Sequence, residues 1–191
     1  NKTGHKFPTG YPARRAWLHV RVENENGIVF DCGGFSRSGE ILDIVGAHDQ
    51  PHIDRITSSD EVLIWELVPH DGDGDPTTSL TQMATRAKDN RLLPKGWRSD
   101  GPHAADTEPV GIGEDQDFVA GGDSVAVAVH YPQSAPTATV TVWVHYQAIP
   151  PHWVEDLRYV DAEECRTFVE LYDAADKTPE TVGAAVRREP L

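Results

Sequence analysis

Nine histidines stand in a chain of 191 residues that has only two cysteines and one methionine. Imidazoles and carboxylates are therefore the groups whose spacing could hold a metal or relay a proton. His5 lies in Gly4-His5-Lys6-Phe7-Pro8-Thr9-Gly10, a loop framed by Gly and Pro. A stiff loop can aim an imidazole outward at a fixed angle, as an axial or metal ligand requires. The same residue also suits a plain structural role, bonded to its own backbone. His48 and His52 are four apart, but Pro51 between them disfavours the helix that would put both on one face. His52 is then the better single candidate of the two, against a solvated loop histidine. His130 and His145 fall on strand-like stretches whose loop prolines offset them by several residues. His19 lies on a strand face by itself.

Carboxylates offer a second chemistry. Asp71-Gly72-Asp73-Gly74-Asp75 alternates oxygen donors along a flexible loop, which suits a hard cation such as calcium, with Thr77 or Thr78 as further donors. It departs from an EF-hand at Pro76 and Gln82, where Gly and Glu belong. An acidic turn is the alternative. Asp115, Asp117 and Asp123 form a second acidic cluster with the same two readings. Hydrolytic motifs are absent: the chain has no GxSxG, no HExxH and no Gly-rich phosphate loop. Cys32 beside Gly33-Gly34 lacks any histidine that the sequence can place next to it.

These groups must be positioned by strands. Ala16, Leu18, Val20 and Val22 alternate with Trp17, His19 and Arg21, the period of a strand. Asn26-Gly27 predicts a turn into a partner strand at 28–30. Residues 61–68 predict a strand buried on both faces around Trp65. Val125, Val127, Val129 and Tyr131, with Val140, Val142, Val144 and Tyr146, predict a late hairpin. A short helix is expected over 80–88 and a long loop over 95–117. Asp161 with Glu164 predicts a capping box. Cys165, Phe168, Val169 and Tyr172 then give a helix face that should pack on the sheet. Residues 176–191 read as a poorly fixed tail. The expected fold is mainly β, an antiparallel sandwich of immunoglobulin-like architecture over 1–158, followed by a C-terminal helix and tail over 159–191.

Bulk composition narrows the function. Asp and Glu number 31 against 17 Lys and Arg, a net charge of −14, which argues against nucleic-acid binding. No apolar run reaches the ~18 residues of a membrane span. Asn1 is not a natural start, so the chain reads as a processed product or part of something longer. Cys32 and Cys165 form no CxxC pair; they form one disulfide if the protein is exported, or remain two buried thiols.

Two blocks carry a resemblance. Residues 4–18, GHKFPTGYPARRAWL, and residues 88–97, KDNRLLPKGW, together with Pro51-His52 and Tyr146-Gln147-Ala148-Ile149, resemble the non-haem β-rich domain that follows the haem-binding region in many multihaem c-type cytochromes. The resemblance covers most of 1–158. It implies an exported electron-transfer protein, periplasmic or extracellular, whose haem c groups are carried by another segment or chain. No CxxCH occurs here, which departs from the whole-protein pattern. His5 and His52 become candidate axial ligands to such a haem. Arg14 or Arg15 is expected to bridge Asp89 and lock the two blocks together. The rival readings are a metal-dependent periplasmic enzyme using copper, iron or zinc, and a calcium-stabilised binding or adhesion sandwich, with calcium at Asp71, Asp73 and Asp75. Membership of an oligomer or larger assembly fits each.

Overall fold

The computed structural model describes residues 1–44, 50–132 and 136–190, so His48 lies outside the described residues. In chain order the elements are strands β1 (Arg15–Asn24), β2 (Gly27–Cys32), β3 (Arg55–Ile56), β4 (Ile64–Trp65), β5 (Leu67–His70) and β6 (Thr85–Asp89). Helix α1 (Ala104–Thr107), strands β7 (Ala126–Val127) and β8 (Thr137–Gln147), helix α2 (Pro151–Glu155), a 3-10 helix (Asp156–Tyr159), helix α3 (Glu163–Ala174) and strand β9 (Glu180–Pro190) complete it. Among the described residues strand and bridge positions account for 34% and helix for 14%, so the protein is mainly β. No helix among the described residues is long and apolar enough to cross a membrane.

One five-stranded antiparallel sheet runs β2-β1-β8-β9, with β4 also on β1. The second edge of β1 is shared: β2 takes Val20–Asn24 and β4 takes Ala16–Trp17. The β1–β2 turn forms where Asn-Gly predicted it, with Asn24 Oδ1 accepting the Asn26 N–H at 2.8 Å. Two smaller units flank the sheet, the antiparallel β5–β6 ribbon and the parallel β3–β7 pair. β1 is buried on both faces. Ala16, Leu18 and Val20 join Cys32, Ile56, Leu63, Trp65 and Leu93 in the larger core, while Trp17 packs with Ile41, Val62 and Ile64 on the other side. Trp17 Nε1 donates to the Gly33 carbonyl at 2.9 Å. Gly33 (φ +79°) passes so close beneath β1 that a Cβ there would lie 2.2 Å from the Leu18 carbonyl oxygen, so only glycine fits.

Several expectations are corrected. The late hairpin does not form, because β1 and β9 occupy both edges of β8; Ala126–Val127 pairs with β3 instead. The stretch 61–68 is buried as expected but breaks at Glu66 into β4 and β5. The helix expected over 80–88 is a turn leading into β6. The expected tail is β9, hydrogen-bonded along β8. Helix α3 exists, but Ala162 is its N-cap and Asp161 pairs with Arg166 at 2.6 Å instead of capping. None of its residues is fully buried, but Cys165, Phe168, Val169 and Tyr172, the expected face, are half-buried, and the Tyr172 hydroxyl donates to the Ile149 carbonyl at 3.4 Å. Cys32 is buried in β2 and Cys165 is half-buried on α3, and the two are free thiols rather than a disulfide.

Candidate functional site

The two sequence blocks meet in space. Phe7 and Leu92 exchange backbone hydrogen bonds at 2.9 and 2.8 Å. Beneath that bridge lies Asp89, fully buried, with Lys6 at 2.8 Å, Arg91 at 2.7 Å and Arg86 at 3.5 Å. Burial alone would push this carboxyl up, but the Arg91 and Lys6 charges outweigh it and hold it below the usual carboxylate range. The lock expected between the blocks is thus present, with different keys. Arg14 donates to the Thr9 carbonyl at 2.9 Å. Arg15 turns into the core, donating to Gln147 Oε1 at 3.0 Å and lying 5.5 Å from the Trp17 ring centroid. β1 begins at Arg15 and takes its side chain into the core, while Arg14 stays with the preceding turn, so both are engaged away from Asp89.

His5 sits on the loop that this clasp anchors. It is exposed, and its Nδ1 lies 2.9 Å from the Lys6 carbonyl and 3.2 Å from Thr3 Oγ1. A carbonyl oxygen only accepts, so Nδ1 carries the proton and Nε2 carries the lone pair. Nε2 makes no hydrogen bond among the described residues.

His52 has the opposite setting. Its side chain is 2% exposed. Nδ1 faces the Asn90 amide nitrogen at 3.0 Å, and Nε2 lies 2.9 Å from Asp115 Oδ2. The Asn90 amide is itself fixed: its oxygen accepts the Glu66 N–H and its nitrogen donates to the Ile64 carbonyl. Asn90 is therefore the donor, His52 Nδ1 the acceptor and Nε2–H the donor to Asp115. With both ring nitrogens engaged inside the protein, His52 is not presented to an external haem.

Around His52 the second acidic cluster closes up. His52, Asp115 and Asp123 offer atoms within 4.8 Å of one another, as do Asp54, Asp115 and Asp117. Asp115 Oδ1 also accepts the N–H groups of Asp117 and Phe118. Asp123 Oδ2 accepts Trp65 Nε1–H at 2.8 Å. Its Oδ1 is buried without a hydrogen-bond partner among the described residues. Burial raises the Asp123 pKa; a hydrogen bond to Asp115 raises that of Asp117.

The first acidic loop does not converge. Asp71 Oδ1 caps the N–H groups of Asp73 and Asp75 at 2.9 and 3.0 Å, and those two residues are exposed. These backbone bonds hold Asp71 below the usual carboxylate range, and the loop is an acidic turn after β5.

One pairing was missed by reading residues singly. β1 and β8 bring His19 Nδ1 to 3.2 Å from His145 Nε2, with Asp31 Oδ1 2.8 Å from His19 Nε2 and Thr181 Oγ1 3.2 Å from His145 Nδ1. The signal lay in the strand register, because both histidines sit beside tryptophan partners, His19 opposite Trp143 and His145 opposite Trp17. Burial pushes both imidazoles below their ordinary pKa, His145 to about 4. Separately, a cleft of about 570 Å³ opens between Glu66, the 67–69 strand, Thr78 and Trp153; of the predicted site residues it is lined by Thr77 and Thr78 and by none of the candidate histidines or carboxylates.

No family model matches the chain, and no curated protein sequence matches it. Among solved structures, the chain is similar to a penta-heme cytochrome c552 from Thermochromatium tepidum, at 14% identity and a TM-score of 0.45. The match covers 98% of this chain and 33% of that one, so the chain spans about a third of that protein's length.

Proposed function

We propose that the chain is the non-haem module of an exported multihaem c-type cytochrome or cytochrome assembly, and that it covers a haem and supplies His5 as an axial ligand. The observation that carries this reading is the His5 tautomer. An Nδ1–H held by a backbone carbonyl fixes the ring and leaves Nε2 as the nucleophilic nitrogen, the arrangement that suits iron ligation. The Asp89 clasp gives the loop a rigid base. The haem belongs to another segment or chain, since this one has no CxxCH. In this reading the flanking ribbons supply the second layer of a sandwich, the site of action is periplasmic or extracellular, and the net charge of −14 keeps the assembly soluble and steers cationic partners.

The test uses the full chain and a ferric haem c peptide with one open axial position. Wild type should convert the peptide to a six-coordinate low-spin spectrum, and His5→Ala should not. His52→Ala should leave the conversion intact if folded. No conversion by wild type, or equal conversion by His5→Ala, overturns the axial role.

A further inference from the structure

We propose that Asp115 and Asp123, closed on the outer side by Asp54 and Asp117, form a calcium-type cation site in which His52 acts as the positioning residue rather than a ligand. Two buried carboxylate centres in this protein make the case by contrast. Asp89 has gathered Lys6, Arg86 and Arg91. Asp115, whose side chain is only 3% exposed, is met by the His52 Nε2–H, and neither it nor Asp123 has a Lys or Arg partner among the described residues. A buried anion without a counter-charge is costly, and no Lys or Arg among the described residues pairs with this cluster, so a bound cation would offset that cost.

The second observation is the orphaned oxygen. Asp123 Oδ2 is bound by Trp65, but Oδ1 is buried with no partner among the described residues, although native proteins satisfy nearly all such atoms. One Asp123 carboxylate oxygen lies within 4.8 Å of a ring nitrogen of His52 and of a carboxylate oxygen of Asp115, so this side chain belongs to the same cluster. The converging groups come from separate stretches, residues 52–54, the 115–117 turn and Asp123. They are placed there by the fold and do not merely neighbour one another along an acidic run.

The class of cation follows from the tautomer. Asn90 obliges His52 Nδ1 to accept, so Nε2 keeps its proton and has no lone pair for a metal. The imidazole orients Asp115 instead. What remains is an all-oxygen donor set, which suits a hard cation such as calcium and not zinc or copper.

Terbium luminescence tests this on the full chain. Trp65 is hydrogen-bonded to a ligand carboxylate, so terbium bound there is sensitised by indole excitation. Emission should saturate at one equivalent and be displaced by calcium, with an affinity of about 0.1–1 mM as in extracellular modules. Asp123→Asn should weaken calcium at least tenfold. Asp117→Asn, at an exposed position that folding tolerates, should weaken it several-fold, and Asp71→Asn should change nothing. Absence of calcium-displaceable emission overturns the proposal. So does binding unchanged by Asp117→Asn and Asp123→Asn, or binding lost with Asp71→Asn. The experiment involves no haem, so it stands or falls apart from the role of His5.

Discussion

Replacing His145 with leucine should flatten the acid side of the stability profile. His145 is 3% exposed, and its rings of contact are Trp17 and Phe35. Asp31 accepts from His19 Nε2–H, so His19 Nδ1 must accept from His145 Nε2–H. A proton added to His145 would place a buried charge beside a ring that already receives a hydrogen bond from it. Burial, and then His19, lower its pKa from 6.5 to about 4. The sign follows by linkage. Above pH ~6.5 neither the folded nor the unfolded chain protonates this group, and its full stabilisation is present. Below that the unfolded chain takes up a proton that the folded chain refuses, so stability falls until about pH 4. At ~1.36 kcal/mol per pH unit, the loss reaches about 2.5 kcal/mol at pH 4.5. Other groups titrate in the same range, and His19 is lowered too. The informative quantity is therefore the difference between wild type and His145→Leu. Urea unfolding followed by tryptophan fluorescence from pH 7.5 to 4.5 measures it. Wild type should lose about 2–3 kcal/mol more than the variant across that range. Parallel profiles would refute the argument.

Two further outcomes follow from groups already placed. Asp89→Asn removes a fully buried charge and leaves Lys6, Arg86 and Arg91 crowded together; thermal and urea unfolding should show a loss of about 3–5 kcal/mol, typical of breaking a buried pair. Iodoacetamide at pH 8 should label Cys165 on the native chain and spare Cys32, whose thiol burial pushes up to about 11. Both should label in denaturant without reductant, and a mass showing neither labelled would mean that the two are bonded after all.

Local pattern made β1, β2 and α3 legible, because alternation and helical spacing depend on neighbours in sequence. The fate of the valines at 125–131 was not legible. Their alternation is sound, but β8 has only two edges, and which strands claim them is decided by distant residues. The same limit hid β9, whose residues are nearly all exposed and carry no burial pattern. At the sites, the two blocks were legible because each is contiguous, and the fold joins them through Phe7 and Leu92. Arg14 and Arg15 look alike in sequence as partners for Asp89, whereas β1 takes Arg15 into the core and the preceding turn claims Arg14. His52 was singled out for the wrong chemistry. Its role depends on Asn90, thirty-eight residues away and neutral, which no charge or metal motif would flag.

The segment from Lys88 to Asn90 has a consequence for what kinds of mutation the protein can survive. Lys88 reaches Glu66 on one side, Asp89 reaches Lys6 and Arg91 on the other, and Asn90 returns to the first side to hold His52. The two polar centres are thus written in alternate positions of a single extended run. Deleting one residue just before this run would exchange the faces. Asp89 would be delivered among the carboxylates and Asn90 among the cations, inverting both centres at once. A substitution damages one of them. Single-residue deletions in the 85–92 stretch should therefore be far rarer than substitutions there among functional variants recovered from a library that holds both.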